Sequence, residues 1–254
     1  MKTIPQLNWD LDCIGNNAAL QADTCLCPPQ RGMRRYSIRW LRYWFVCQLL
    51  QAERARQQRQ LAICEIGIGS GQMLRFMNVV SQPVWSRWDG VDCLLLRDDL
   101  NALGYGSLID ANLQTDTIPG ANDYAVFILL HILEHLYEPE KAMAQLAAQM
   151  RPGSIVIGGY PSVPNWCVRL REPTLRARAH TRTYGHVTAF SAHRTRAMAA
   201  AAGLQLEYLT GAFCVRASGF VLEDCKWWTR YNLLFGALFP SWPGELYWVM
   251  RKPL

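Results

Sequence analysis

The chain has 254 residues, half of them hydrophobic, enough for one domain with a sizeable core and incompatible with general disorder. Its 26 Lys and Arg against 20 Asp and Glu leave a net charge of +6, and no apolar run is long enough to span a bilayer. The nine cysteines are an odd number in scattered apolar contexts, and residues 1–12 lack the apolar stretch of a secretory leader, so reduced thiols and a cytoplasmic location are expected.

Residues 1–30 carry breakers at Gly15, Pro28 and Pro29 and read as irregular. The Cys25-x-Cys27 pair beside Cys13 fits no standard zinc spacing. Residues 33–58 turn helical, with Arg35, Arg39 and Arg42 on one side and Trp40, Trp44 and Cys47 on another. A short apolar run over 61–66 ends in Gly67-Ile68-Gly69-Ser70-Gly71, and a helix is predicted over 72–80. Strands are predicted over 88–93, 107–109 and 123–130, with a helix over 94–103 between the first two. Residues 138–150 are strongly helical, and 155–157 restart a strand after Arg151-Pro152-Gly153. Residues 161–190 lose periodicity and are rich in Arg, Pro and His. Helix returns over 191–202 and strands over 204–209 and 245–250, with a Trp-rich stretch over 226–243 between the last two. Strands alternating with helices at this spacing predict a parallel α/β sheet.

The turn from Glu65 to Gly71 carries the most information. A strand feeding a glycine-rich turn and then a helix lets backbone come close to a ligand, because glycine has no side chain to obstruct it. The residue order differs from the G-x-G-x-x-G of nicotinamide enzymes, and no G-K-[ST] of a phosphate loop is present after it. Four more pieces come in order: Gly90-Val-Asp92, Asp110-Ala111, the segment from Asp123 to Pro139 that contains His131-Ile-Leu-Glu-His135, and the turn closing at Gly153. With Gly185-His186, Phe190-Ser191 and Ala202-Gly203 further on, the set resembles class I S-adenosylmethionine (SAM)-dependent methyltransferases across residues 61–160 and beyond.

The resemblance implies a Rossmann-like α/β fold with a mostly parallel seven-stranded sheet, its last strand antiparallel and helices on both faces. It implies a helical cap over residues 1–60, a SAM-binding domain over 61–254, and a lid insertion over 161–190. SAM is the implied cofactor. Glu65, Gly67, Gly69 and Gly71 would meet its amino-acid end and ribose, and Asp92, preferred over Asp89, the ribose hydroxyls. Asp110 and Ala111 would meet the adenine, and His131 would lie beside the sulfonium. The plainer readings are a fold-stabilising turn for the glycines and loop acids for Asp92 and Asp110.

His131-Ile-Leu-Glu134-His135 also spells the H-x-x-E-H of inverted zinc peptidases. It comes after a buried strand and does not lie within a helix, so its histidines need not share one face, and no third zinc ligand is evident. Ubiquinone-pathway O-methyltransferases, distantly similar here, carry Glu-x-x-Glu-His at this place beside a divalent ion; His131 replaces the first Glu, and no metal is expected.

Methyl transfer to a hydroxyl needs the acceptor aligned and its proton removed, a task for a histidine near neutral pKa. His131, His186 and Tyr160 are the candidate catalytic residues, with His180 and Tyr184 of the lid behind them. Arginines cluster over 31–42 and 169–182, in the segments expected to cover the substrate. They favour an acidic small-molecule, lipid-linked or glycan-linked acceptor and no DNA partner. RNA or protein methylation and a non-catalytic SAM-binding subunit are the alternatives. For the Trp-rich stretch, core packing, a homodimer interface and weak contact with a membrane surface or apolar acceptor all remain open.

Overall fold

The computed structural model describes residues 4–23, 25–26, 34–95, 100–179, 185–214 and 219–254. Seven strands form one sheet in the order β3-β2-β1-β4-β5-β7-β6. They are β1 (Leu61–Ile66), β2 (Trp85–Asp92), β3 (Leu108–Asp110), β4 (Val126–Leu130), β5 (Ile155–Ser162), β6 (Gln205–Gly211) and β7 (Gly244–Arg251). The first five run parallel; β7 inserts between β5 and β6, antiparallel to both. This is the Rossmann-like sheet order that the resemblance implies.

Eight α-helices are described: α1 (Asp12–Gly15), α2 (Ala18–Ala22), α3 (Ile38–Gln57), α4 (Gln72–Val80), α5 (Pro139–Gln149), α6 (Asn165–Ala179), α7 (Ala192–Ala201) and α8 (Lys226–Leu238). Successive strand residues point to opposite faces, so the nearly continuous apolar runs of β1, β4 and β5 feed two cores. Ile63, Val126, Ile128 and Ile157 face α3 and α4, where Phe45 stacks on Tyr247 at 4.1 Å. Cys64, Phe127, Leu129 and Val156 face the α5 and α7 side, with Met143, Leu146 and Met198. Helix α3 starts at Ser37, whose hydroxyl accepts from Trp40 N, and it ends at Gln58 in the left-handed region.

Three expectations need correction. The first thirty residues are not wholly irregular, since Asn17 caps the short α2 by accepting from Leu20 N. Residues 165–179 form a full helix where the periodicity looked lost. Only Val168 of α6 is buried, while Trp166 and Leu170 point outward, so its apolar residues do not mark a core face. Of the helix expected over 94–103, residues 96–99 lie outside the described set; beyond them the chain makes a 3₁₀ turn at Asn101–Leu103.

Candidate active site

The parallel strands deliver their carboxyl ends to one rim, where open α/β sheets bind ligands. There the turns after β1 to β4 enclose a cavity of about 610 Å³. Gly67, Gly69 and Ser70 line it from the β1–α4 turn, and Asp92, Cys93 and Leu94 from the end of β2. Ala111, Asn112 and Leu113 line it after β3; His131, Ile132, His135 and Leu136 close it after β4.

The glycine turn is shaped by two different constraints. Gly67 has φ +77°, and a Cβ there would fall 1.9 Å from Ile132 Cδ1, so a side chain would strain the backbone and displace Ile132 from the cavity wall. Gly69 has φ +52°, but its missing Cβ would meet nothing within 4 Å, so the backbone lies open to the cavity. Gly69 N donates to Asp92 Oδ2 at 2.9 Å and Leu94 N to Oδ1 at 3.0 Å, fixing the carboxylate at the mouth. Gly71 is the N-cap of α4 and does not line the cavity.

Residues expected at the cofactor are thus divided. Asp92, Gly67, Gly69, Ala111 and His131 come together on the cavity, whereas Asp89 is fully buried beneath, accepting from Tyr124 Oη at 2.6 Å. Asp110 ends β3 exposed and outside the lining. Glu65 is turned away: its Oε2 accepts from Trp88 Nε1 at 2.9 Å and from Tyr105 Oη at 3.0 Å. Burial pushes its carboxyl up to about 7, against the two hydrogen bonds that favour the charged form.

His131 leaves β4 with φ +60°, a left-handed conformation uncommon outside glycine, held by its N–H on Gly159 O at 2.8 Å. Its Nδ1 donates to Glu134 Oε1 at 2.9 Å, and its Nε2 lies 3.7 Å from Glu245 Oε2, beyond hydrogen-bond reach. Burial lowers the imidazole pKa, but the two carboxylates outweigh it, and the net shift is upward. Glu245, the second residue of β7, is fully buried. Both its oxygens accept from the Arg42 guanidinium of α3, and Tyr247 Oη donates at 2.6 Å. Burial raises its carboxyl, but Arg42 and His131 hold it well below the usual carboxylate range.

Glu134 is buried, with Oε2 lacking a hydrogen bond among the described residues. Its carbonyl accepts from Val187 N and Thr188 N, tying this turn to the segment before α7. His135 Nδ1 donates to Gly185 O at 3.2 Å, and its ring meets His186 edge-on at 4.9 Å. Glu134, His135 and His186 bring ligand atoms within 4.8 Å of one another and could hold a cation.

Two of the catalytic candidates stand elsewhere. Tyr160 does not face the crevice: it is fully buried on the α7 side, bonded to Thr195 Oγ1 at 2.7 Å and stacked on Phe190. Strand alternation turned it to the opposite face from the one its position at the strand end suggested. His186 is half-exposed in a smaller cleft under α6 with Arg171 and Glu134, outside the main cavity. His180 and Tyr184 lie outside the described residues. Sequence reasoning missed Arg42 and Glu245. The available signal was an acid opening an otherwise apolar strand, and one arginine of the aligned set on α3.

A family model described as a methyltransferase domain matches residues 38–209, well over half of the chain. The chain belongs to this methyltransferase family. It is a SAM-dependent enzyme, and the open backbone at Gly69 and the fixed Asp92 carboxylate fit that cofactor. No curated protein matches its sequence.

Among solved structures, a SAM-dependent methyltransferase of Mesorhizobium loti is 15% identical, with 76% of this chain and 92% of that one covered at TM-score 0.53. A 1,6-didemethyltoxoflavin N1-methyltransferase of Burkholderia thailandensis is 12% identical, covering 85% and 88% at TM-score 0.51. The [4+2]-cyclase SpnF is 15% identical, covering 82% and 80% at TM-score 0.55. Such distant likenesses show the fold alone.

Proposed function

We propose that the enzyme methylates a hydroxyl of an acidic small-molecule, lipid-linked or glycan-linked acceptor in the cytoplasm. The observation that carries this reading is the His131–Glu134 pair at the edge of the cofactor cavity. Glu134 accepts from Nδ1, which fixes the tautomer and leaves Nε2 as the basic nitrogen, the logic of a base oriented by a carboxylate. We assign the acceptor's proton to His131 Nε2, a nitrogen buried on the Glu245 side and without a hydrogen bond among the described residues, so the acceptor hydroxyl has to enter past the rim to reach it.

SAM supplies a methyl group on a sulfonium, ready for in-line displacement. Around it, Asp92 has lone pairs left to accept the ribose hydroxyls, since each oxygen takes only one backbone N–H. The Gly67–Gly69 backbone would hold the amino-acid end of SAM, and Ala111 and Leu113 on the cavity wall would flank its adenine. Glu65 acts behind the turn by anchoring Trp88 and Tyr105.

The arginine-rich α6, with Arg171 on the cleft beside His186, favours an acidic acceptor. The described cysteines are free, which suits a reducing compartment. We assign Glu134 to His131, with no metal step.

The test is incubation with methyl-labelled SAM and fractionated metabolite, lipid, glycan and RNA pools, with and without EDTA. Label in an acidic hydroxyl-bearing product, insensitive to EDTA, is expected. Label appearing in RNA alone would overturn the acceptor assignment, and loss of transfer in EDTA would overturn the metal-free one.

A further inference from the structure

Helix α6 is amphipathic in the inverted sense. Its inner face meets the protein through Val168, while Trp166 and Leu170 stand 73% and 70% exposed. With 3.6 residues per turn, Trp166, Leu170, Pro173 and Ala177 form one outward stripe. Arg169 and Arg176 flank it on one side and Arg178 on the other, while Arg171 turns to the cleft beside His186. Glu172 is the single acid of the helix, and it is paired with Arg194.

A second apolar edge reaches the same end of the molecule. The outward residues of α8 finish in Leu238, Phe239 and Trp242, 58%, 55% and 49% exposed. No acid occurs between Asp224 and Glu245. Trp242 O accepts from Ser162 Oγ at 3.5 Å, and α6 begins three residues beyond Ser162. Both edges therefore sit at the carboxyl-end rim of the sheet, where the cofactor cavity opens.

We propose that α6 and the adjoining end of α8 seat the enzyme on an anionic lipid surface. Charge and side-chain chemistry select this occupant over a second copy of the chain. The stripe has basic side chains on both flanks, so charge is complementary to lipid phosphates and repulsive toward another copy of the same face. The exposed Trp166 beside Arg169 suits the boundary between acyl chains and headgroups, where an apolar body and a polar edge are both satisfied. No described helix is long and apolar enough to cross a membrane, so the stripe lies on the surface and does not insert through it. This deepens the acceptor reading above, on which it rests for one consequence: the acceptor is lipid-borne and approaches within the plane of the membrane.

The experiment is flotation of the full chain with phosphatidylcholine vesicles and with vesicles containing phosphatidylglycerol, at low and high salt. SAM binding by calorimetry and mass by light scattering are measured in parallel. The wild type is expected to float with the anionic vesicles only, less so at high salt. Trp166→Glu with Leu170→Glu, and separately Arg169→Gln with Arg176→Gln, are each expected to weaken flotation about tenfold or more while SAM binding is unchanged. Absence of flotation in the wild type overturns the proposal, as does equal flotation of a folded Trp166→Glu, Leu170→Glu variant. A lipid-independent dimer that this variant loses would assign the face to a second copy instead. Because flotation involves no methyl transfer, a failure here is separable from failure to find label in a lipid-linked product.

Discussion

His131 and Glu245 face each other at the carboxyl-end rim, imidazole Nε2 3.7 Å from carboxylate Oε2, although one residue comes just after β4 and the other is the second residue of β7, next to Gly244. Glu245 is held in turn by Arg42, so three distant parts of the chain meet in one buried charge cluster. Two carboxylates, Glu134 and Glu245, stand against one guanidinium and one imidazole. The cluster is balanced when His131 is protonated.

Removing one charge leaves its partner buried and uncompensated. Glu245→Gln is therefore expected to destabilise the fold by about 3–5 kcal/mol, whereas Arg42→Leu combined with Glu245→Leu should recover part of that loss. Urea melts of the two variants decide the matter, and a double variant no more stable than Glu245→Gln would show that the cost is not one of unbalanced charge.

The His131 shift sets a direction with pH. A histidine whose folded pKa exceeds its ordinary 6.5 contributes stability that is complete below that value and is lost as pH rises through the folded one. If the same group takes the acceptor proton, the rate should rise over that upper range. Titration of the His131 ring by NMR and the acid limb of kcat/KM should coincide above 6.5; a limb at or below it removes His131 as the base.

Glu65 runs the opposite way. Its carboxyl titrates near 7 in the fold against 4.5 when unfolded, so the native state holds a proton that the unfolded chain has released. Stability should fall by roughly 3 kcal/mol as pH rises across that window. Glu65→Gln keeps an acceptor for Trp88 and Tyr105 without the charge, and it should flatten the pH dependence of the cofactor-free protein. Parallel melting curves for variant and wild type between pH 5 and 8 would contradict this.

At the mouth of the cavity, Asp92→Ala is expected to weaken SAM binding by about 1–3 kcal/mol, the scale of lost charge-assisted hydrogen bonds. Asp89→Ala should lower melting temperature by stripping Tyr124 and Arg87 of their partner, and leave SAM affinity near normal. Calorimetry that finds the reverse pattern would mean the ribose sits deeper than the rim.

Gly69→Arg should abolish SAM binding while the protein stays folded, because the position opens into empty cavity and offers room for a side chain only where the cofactor belongs. The left-handed φ adds a modest backbone cost. Unchanged affinity by calorimetry would sink the cofactor placement.

The strand–turn–helix at Glu65 to Gly71 was legible because local chemistry shapes it: a buried run, then glycines at positive φ. Asp92 could be placed because it terminates its strand. Glu65 and Tyr160 were misplaced for a different reason. Both lie in the right element, but which way a strand residue points depends on register across the sheet. Arg42 and Glu245 meet through pairing between remote segments, which no local pattern announces. In α6 the apolar residues recur at helical spacing but face outward, so they do not mark a core face.

The insertion of β7 between β5 and β6 also has a meaning in time. Strand β6 is made first but hydrogen-bonds to the sheet only through β7, so it has nowhere to dock until the later strand arrives. The same strand brings Glu245 to Arg42 and His131. Sheet edge and charge cluster are thus finished by one late event spanning most of the chain, the kind of long-range closure that slows folding. A chain stalled just before it would keep the glycine turn yet expose the β5 edge and the unmatched arginine, leaving a species prone to pair with another copy of itself.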